Sequence, residues 1–202
     1  MDKDIDKIKL IREQTIAALS PDLLNHDTTE TFISPSKHFI AKVTDYLGDI
    51  RSSQLEIINA DTRQQIQLLY TNDSCFHSWV IKNGIEYLIC AEDLCGGQTV
   101  VDLSNNKVSS YTLGKPDGFI WTDHHLSPKE DLLAVVGCGW GSPNFVVVYK
   151  FDKPMDLPLQ KIYELDWTGQ GVDIFIEWVD NDSFKLQFMD KTVKTIKMNL
   201  EA

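Results

Sequence analysis

The chain has 202 residues and a net charge of −11, with 43% hydrophobic and 24% charged residues. That balance is typical of a globular protein with its own core, and the negative charge argues against nucleic acid as a partner. The four cysteines lack zinc-ligand spacing, and no signal-peptide core or membrane-length apolar run is found. We therefore expect a cytoplasmic protein with no metal, no cofactor and no membrane partner.

The first predicted element is an amphipathic helix over residues 2–19, which ends at Ser20-Pro21. Packing over the rest of the fold is its expected role, and binding a partner is the alternative. Its apolar face consists of Ile5, Ile8, Ile11, Ala18 and Leu19. A polar loop follows it, so residues 1–30 form an N-terminal segment ahead of the main domain.

One motif recurs once short strand patterns replace the helical pattern at Thr31. Residues 33–43, ISPSKHFIAKV, align without a gap on residues 126–136, LSPKEDLLAVV, and residues 81–91 fit the same frame. The copies start about 45 to 48 residues apart, which is the period of a four-stranded propeller blade. A fourth, degraded copy begins near Val179. We predict an all-β domain over residues 31–202, with about four propeller-like blades of antiparallel strands.

The turn-plus-strand motif, serine-proline followed by a strand with Leu-Ala-Val, resembles WD-repeat and related β-propeller proteins. This resemblance implies a scaffold, because most members are interaction platforms, although some propellers are hydrolases or lyases. Lysines recur along the last predicted strand, residues 191–198, and lysines of this kind protect a free sheet edge. The array therefore ends on an open edge, and an open half-propeller that forms a homodimer through that edge is the competing arrangement.

A ligand site is predicted where the loops after the first strand of each blade meet. Carboxylates in these loops would bind a cation or a basic group, and Trp140, between two glycines, would stack on a planar or cationic group. Solvated loop tips, with Trp140 folded back on the glycines, are the alternative. The predicted ligand-binding residues are Asp45, Tyr46, Glu92, Asp93 and Trp140, with Cys95 and Cys138 in the same loops. The expected ligand is a protein or a small molecule.

A second cluster, Asp123-His124-His125, contains the candidate catalytic residues His125 and Asp123. On an extended strand, Trp121, Asp123 and His125 would lie on one side and His124 on the other. Asp123 would then orient His125 as a general base. The structural alternative is that His125 hydrogen-bonds the backbone between blades.

The function predicted from sequence is a non-enzymatic binding module that uses the loop end of the blades. The alternative is a hydrolase- or lyase-type enzyme, which requires His125 in a cleft within reach of Asp45 or Asp93. No nucleophile elbow, phosphate-binding loop or zinc-protease motif is present. Core packing between blades is expected for Trp79, Trp167 and Trp178.

Overall fold

The computed structural model describes residues 10, 13–47, 52–72, 75–92, 97–112, 119–139, 141–165 and 171–199. Residues 13–18 are helical, and single 3-10 turns follow at Pro21–Leu23 and His26–Thr28. The start of the predicted N-terminal helix, with Ile5, Ile8 and Ile11, lies outside the described residues. Within the described ranges, no helix has the length and apolarity needed to cross a bilayer.

Antiparallel strands in four sheets make up most of the remaining chain, and each sheet pairs its strands in chain order. The first sheet contains β1 (Glu30–Ile33), β2 (Phe39–Asp45), β3 (Ser52–Asn59) and β4 (Gln65–Asn72). The second contains β5 (Cys75–Lys82), β6 (Ile85–Glu92), β7 (Gln98–Asp102) and β8 (Lys107–Tyr111). The third contains β9 (Ile120–Leu126), β10 (Leu132–Cys138), β11 (Asn144–Lys150) and β12 (Lys161–Glu164). The fourth contains β13 (Val172–Trp178), β14 (Ser183–Phe188) and β15 (Val193–Lys197).

Four consecutive antiparallel sheets after a small helix confirm the predicted fold class, with each sheet corresponding to one propeller-like blade. The chain divides into two compact units. The first unit, residues 1–117, contains the first and second sheets. The second unit, residues 118–202, contains the third and fourth sheets.

The two serine-proline turns have the same hydrogen bonds. The N–H of Ser34 donates to the carbonyl of Phe39 at 2.9 Å, and the N–H of Ser127 donates to the carbonyl of Leu132 at 2.9 Å. Each serine hydroxyl also accepts the N–H of the first strand residue, at 3.2 Å and 3.1 Å respectively. The residue three positions after each serine is left-handed, with φ of 67° and 59°. The aligned sequences therefore fold into the same local structure.

Within each unit, two sheets pack face to face around an apolar core. In the first unit the core is aliphatic: Ala41, Val43, Leu55, Ile57, Leu88, Cys90, Val101 and Leu103. In the second it also contains aromatic rings: Leu132, Ala134, Val136, Val146, Val148, Leu165, Val172, Phe175, Phe184, Leu186, Phe188 and Met198. The predicted common side of Leu132, Ala134 and Val136 is confirmed. Trp79 and Trp178 pack against these cores as predicted, and Trp167 lies outside the described residues.

Strand β9 departs from the regular alternation expected of it. Its pairing with β10 shifts between Asp123 and Trp121, which leaves Thr122 as an extra, bulged residue. Trp121 therefore lies on the face opposite to Asp123 and His125, and its ring stacks on Tyr149 with centroids 5.4 Å apart. The prediction that Trp121 shares a side with Asp123 and His125 was wrong, because a strict period of two does not allow for a bulge.

Candidate functional site

The glycine-rich loop between β10 and β11 is a tight turn held by Ser142. The N–H of Ser142 donates to the carbonyl of Gly139 at 3.1 Å, and the N–H of Gly139 donates to Oγ of Ser142 at 2.7 Å. Gly141 has φ of 73°, a conformation that strongly favours glycine, and open space surrounds the position of a Cβ there. Trp140, the central residue of the predicted ligand site, lies outside the described residues.

This loop packs against two later parts of the second unit. The ring of Pro143 lies so close to Gly171 that a side chain at position 171 would collide with it. Met189 donates its N–H to the carbonyl of Gly171 at 3.0 Å, and the residue is 63% exposed. We call this continuous patch the Ser142 surface. It consists of Gly139, Gly141, Ser142, Pro143, Gly171 and Met189.

The predicted ligand-binding residues Asp45 and Tyr46 end β2 in the first unit. Asp45 is exposed, and one of its carboxylate oxygens accepts the hydroxyl of Ser53 at 2.7 Å. Tyr46 is buried and donates its hydroxyl to Oε1 of Gln54 at 3.2 Å, and burial raises the pKa of Tyr46. Asp45 is therefore accessible to a ligand, whereas Tyr46 mainly supports the fold.

Glu92, the last residue of β6, is not at a loop tip. It is 4% exposed, its N–H donates to the carbonyl of Gly97 at 2.8 Å, and its carboxylate lies directly against Gly97. Asp93 and Cys95 lie outside the described residues. The meeting of these acidic residues with Trp140 at one ligand site stays a prediction.

The candidate catalytic pair, Asp123 and His125, lies at the contact between the third and fourth sheets. Nε2 of His125 is 3.1 Å from Oδ2 of Asp123, an ion-pair distance, but the angles are not those of a hydrogen bond. The imidazole stacks on Phe175, with centroids 4.1 Å apart and an interplanar angle of 9°. The indole N–H of Trp178 donates to the backbone carbonyl of His125 at 3.1 Å.

Two opposing effects act on the pKa of His125. Burial lowers it, and the nearby Asp123 carboxylate raises it by less, so the net pKa is below the usual value. The ring is therefore mainly neutral near neutral pH. A neutral, stacked imidazole fits a packing role between sheets, and it is also the protonation state that a general base requires.

The described cysteines, Cys75, Cys90 and Cys138, are free thiols. Among the residues that the structure describes, no group of three or more His, Cys, Asp or Glu side chains is placed to hold a metal ion. Sequence reasoning found the glycine-rich loop, but it missed Gly171 and Met189. Ser142, three residues after Gly139, was a local signal for the turn, whereas nothing in the sequence links Met189 to that loop.

No family model matches the chain, and no curated protein matches it. Among solved structures it is similar to the dihydro-haem d1 dehydrogenase NirN, at 13% identity and a TM-score of 0.51, over 86% of this chain and 38% of that one. It is also similar to the Swd1 β-propeller domain of Myceliophteria thermophila, at 9% identity and a TM-score of 0.45, over 82% of this chain and 57% of that one. A third is oligopeptidase B of Trypanosoma brucei, at 9% identity and a TM-score of 0.44, over 87% of this chain and 27% of that one.

The chain thus spans less than two thirds of the length of each of these proteins. At such low identity, the match to NirN indicates a shared fold and carries no information on a reaction or a ligand. Together with the four chain-ordered antiparallel sheets, it supports a β-propeller-like fold for this chain.

Proposed function

We propose that this chain is a non-enzymatic binding module, and that the Ser142 surface with Trp140 is its ligand site. The observation that carries this proposal is the pair of hydrogen bonds between Gly139 and Ser142, with Gly141 in a conformation that strongly favours glycine. Backbone groups that are already held by such hydrogen bonds lose less conformational entropy when a ligand binds. An aromatic residue such as Trp140 is a good anchor for a partner.

The chemistry of the neighbouring side chains favours a basic or planar ligand group. Met189 offers an exposed, polarisable thioether that adapts to different partners. The net charge of −11 attracts cationic ligands over a long range. The proposed ligand is therefore a protein segment or small molecule with a cationic group that stacks on Trp140.

Calorimetric titration with a lysine-rich peptide tests this proposal, with a glutamate-rich peptide of equal length as the ligand control. Trp140→Ala should weaken binding roughly 30-fold, equivalent to about 2 kcal/mol, with an unchanged melting temperature. Val108→Ala removes an exposed side chain from the first unit and should leave binding unchanged. Equal binding by wild type and Trp140→Ala would contradict the proposed site.

The alternative is a hydrolase- or lyase-type enzyme that uses Asp123 and His125, favoured by their 3.1 Å separation and the neutral imidazole. We prefer the binding module because the His125 ring is stacked on Phe175, and the backbone carbonyl of His125 accepts a hydrogen bond from the indole N–H of Trp178. Hydrolysis of ester or lactone substrates by the wild type, abolished in His125→Ala and retained in Trp140→Ala, would establish the enzyme instead.

A further inference from the structure

The turn between β5 and β6 consists of an asparagine followed by a glycine. Asn83 and Gly84 are its two residues, because the pairing of the strands ends with Lys82 opposite Ile85. The φ angles of Asn83 and Gly84 are 50° and 75°, so both residues are left-handed, as in a type I′ turn. Asparagine-glycine is a sequence that this turn strongly favours. The fold therefore needs this dipeptide at a position where its chemistry has a cost, since asparagine is one of the thermolabile residues.

The surroundings of Gly84 leave room for a chemical reaction within the turn. Apart from its chain neighbours, no atom lies within 4 Å of the position that a Cβ of residue 84 would occupy. Asn83 and Gly84 are both exposed, so water reaches them. Because Gly84 has no side chain, nothing on this residue hinders the approach of its backbone nitrogen to the side chain of Asn83. Glycine also permits the backbone rotations that such an approach requires.

A second left-handed asparagine provides a comparison within the same sheet. Asn106, in the turn between β7 and β8, has φ of 51° and is also exposed. The next residue is Lys107, whose side chain hinders its backbone nitrogen. Oδ1 of Asn106 also accepts a hydrogen bond from Nε2 of Gln67 at 2.6 Å. Asn106 therefore has the backbone conformation of Asn83 without the glycine that follows it.

We propose that Asn83 is a site of spontaneous deamidation, which converts it to aspartate or isoaspartate. The backbone nitrogen of Gly84 loses its proton and attacks Cγ of Asn83, and the side-chain nitrogen leaves as ammonia. The new C–N bond closes a five-membered succinimide ring. Water then opens this ring at one of its two carbonyl groups. Opening at one carbonyl gives aspartate, and opening at the other gives isoaspartate, in which the main chain runs through the former side chain.

The reaction involves only the two residues of the turn and water. It requires no oxidant, no cofactor and no residue from another sheet. The site is also separate from the Ser142 surface, because the second sheet belongs to the first unit and the Ser142 surface belongs to the second.

The isoaspartate product would alter the hairpin. It adds one carbon to the main chain, so the two-residue connection no longer fits the pairing of Lys82 with Ile85. Ile81 and Glu86 form the next pair of this hairpin. The carboxylate of Glu86 accepts the N–H and the hydroxyl of Ser36, each at 2.7 Å. The modification should therefore weaken the contact between the first and second sheets.

Peptide mapping of the full chain after incubation in mildly alkaline buffer tests this proposal. Asn83 should convert at least about tenfold faster than Asn106, which corresponds to about 1.4 kcal/mol in activation free energy. The rate should increase with pH, because the nitrogen of Gly84 attacks without its proton. A methyltransferase that esterifies the free α-carboxyl group of isoaspartate should label the incubated wild type when it is supplied with S-adenosylmethionine.

Two variants serve as controls. Asn83→Gly is compatible with the same turn and lacks the reacting amide, so incubation should not make it a substrate for the methyltransferase. Asn83→Asp has the charge of the product with a normal main chain. It should melt at a higher temperature than the isoaspartate form purified from the incubated wild type.

Two results would overturn the proposal. The first is an Asn83 that converts no faster than Asn106, and the second is equal labelling of the incubated wild type and Asn83→Gly. Equal melting temperatures of Asn83→Asp and the isoaspartate form would contradict the expected effect on the contact between Glu86 and Ser36.

Discussion

The two units contain the same serine-proline turn but connect it to the neighbouring sheet in different ways. In the first unit, the N–H and the hydroxyl of Ser36 both donate to the carboxylate of Glu86, each at 2.7 Å. At the matching position of the second unit, the N–H of Lys129 donates to Oδ1 of Asn181 at 3.4 Å. The turn is thus determined by its own residues, whereas the contact across the sheets depends on a partner about 50 residues away.

The two units also differ in the side chains that join their two sheets. The first unit joins its sheets mainly through aliphatic side chains and the carboxylate of Glu86, with one ring pair, Phe32 and His77, whose centroids are 6.3 Å apart. The second joins them through stacked rings, among them His125, Phe175 and Phe184. The two units therefore reach the same architecture with different chemistry, and the difference can be measured one contact at a time.

The largest expected effect comes from a charge placed at equivalent core positions. Ala134→Asp and Ala41→Asp each bury an unpaired carboxylate at a position with no exposure. Each should lower the free energy of unfolding by at least about 3 kcal/mol, measured by urea denaturation. Ala17→Asp, on the exposed side of the short helix, should cost less than about 1 kcal/mol. A core variant that melts within about two degrees of wild type would show that the repeat frame is wrong.

Removal of the Glu86 carboxylate, which accepts hydrogen bonds from Ser36 in the first unit, should have the next largest effect. Glu86→Ala removes two hydrogen bonds from Ser36 to a charged acceptor, at an expected cost of roughly 1.5 to 3 kcal/mol in the free energy of unfolding. Glu86→Gln keeps an acceptor and should cost less. A double-mutant cycle with Ser36→Ala should give a clear coupling energy, and additive effects would mean that the two side chains do not interact.

The matching change in the second unit should be smaller. Asn181→Ala removes the 3.4 Å contact with Lys129 and the 2.9 Å bond from Nδ2 of Asn181 to Asp131. Both partners remain accessible to water, so the expected loss is below about 1 kcal/mol. If Asn181→Ala destabilises the protein as much as Glu86→Ala, the Lys129–Asn181 and Ser36–Glu86 contacts do not differ in strength.

The smallest expected effect is a pH dependence that comes from His125. Its pKa is lowered by burial in the folded protein, so the unfolded chain takes up this proton first as the pH falls. His125 therefore has no effect on stability above about pH 6.5. Below that pH the free energy of unfolding falls, and the loss stays at its full value once the pH is below the folded pKa. His125→Phe retains a ring beside Phe175 and removes the titrating group. The loss of unfolding free energy between about pH 7.5 and about pH 5.5 should be smaller in this variant.

The other histidines are present in both proteins, so the difference between the two pH profiles reports on His125 alone. Identical profiles for wild type and His125→Phe would mean that the imidazole is not desolvated by its contact with Phe175.

The strands and the turns could be predicted because their signals are local. Alternating apolar residues and the serine-proline pairs are signals within a few neighbouring residues, and the copies repeat these local signals along the chain. The bulge at Thr122 could not be predicted, because it appears only when β9 is paired with β10. The contact between Glu86 and Ser36 could not be predicted for the same reason, because the two residues belong to different sheets.

The candidate site was predictable only in part. Glycines on both sides of Trp140 indicated a special backbone shape, and the left-handed Gly141 accounts for one of them. Glu92 looked like a loop residue, but it closes β6 and is buried. Burial of a charged side chain depends on what packs over it, and that information lies outside its own segment of sequence.

Residue-by-residue amide chemical shifts, recorded while the lysine-rich peptide is added, test the proposed binding site most directly. The largest shifts should appear at Gly139, Gly141, Ser142 and Met189, and they should be absent with the glutamate-rich peptide. Shifts concentrated at Asp123, His124 and His125, or no shifts with either peptide, would contradict a binding module that uses the Ser142 surface.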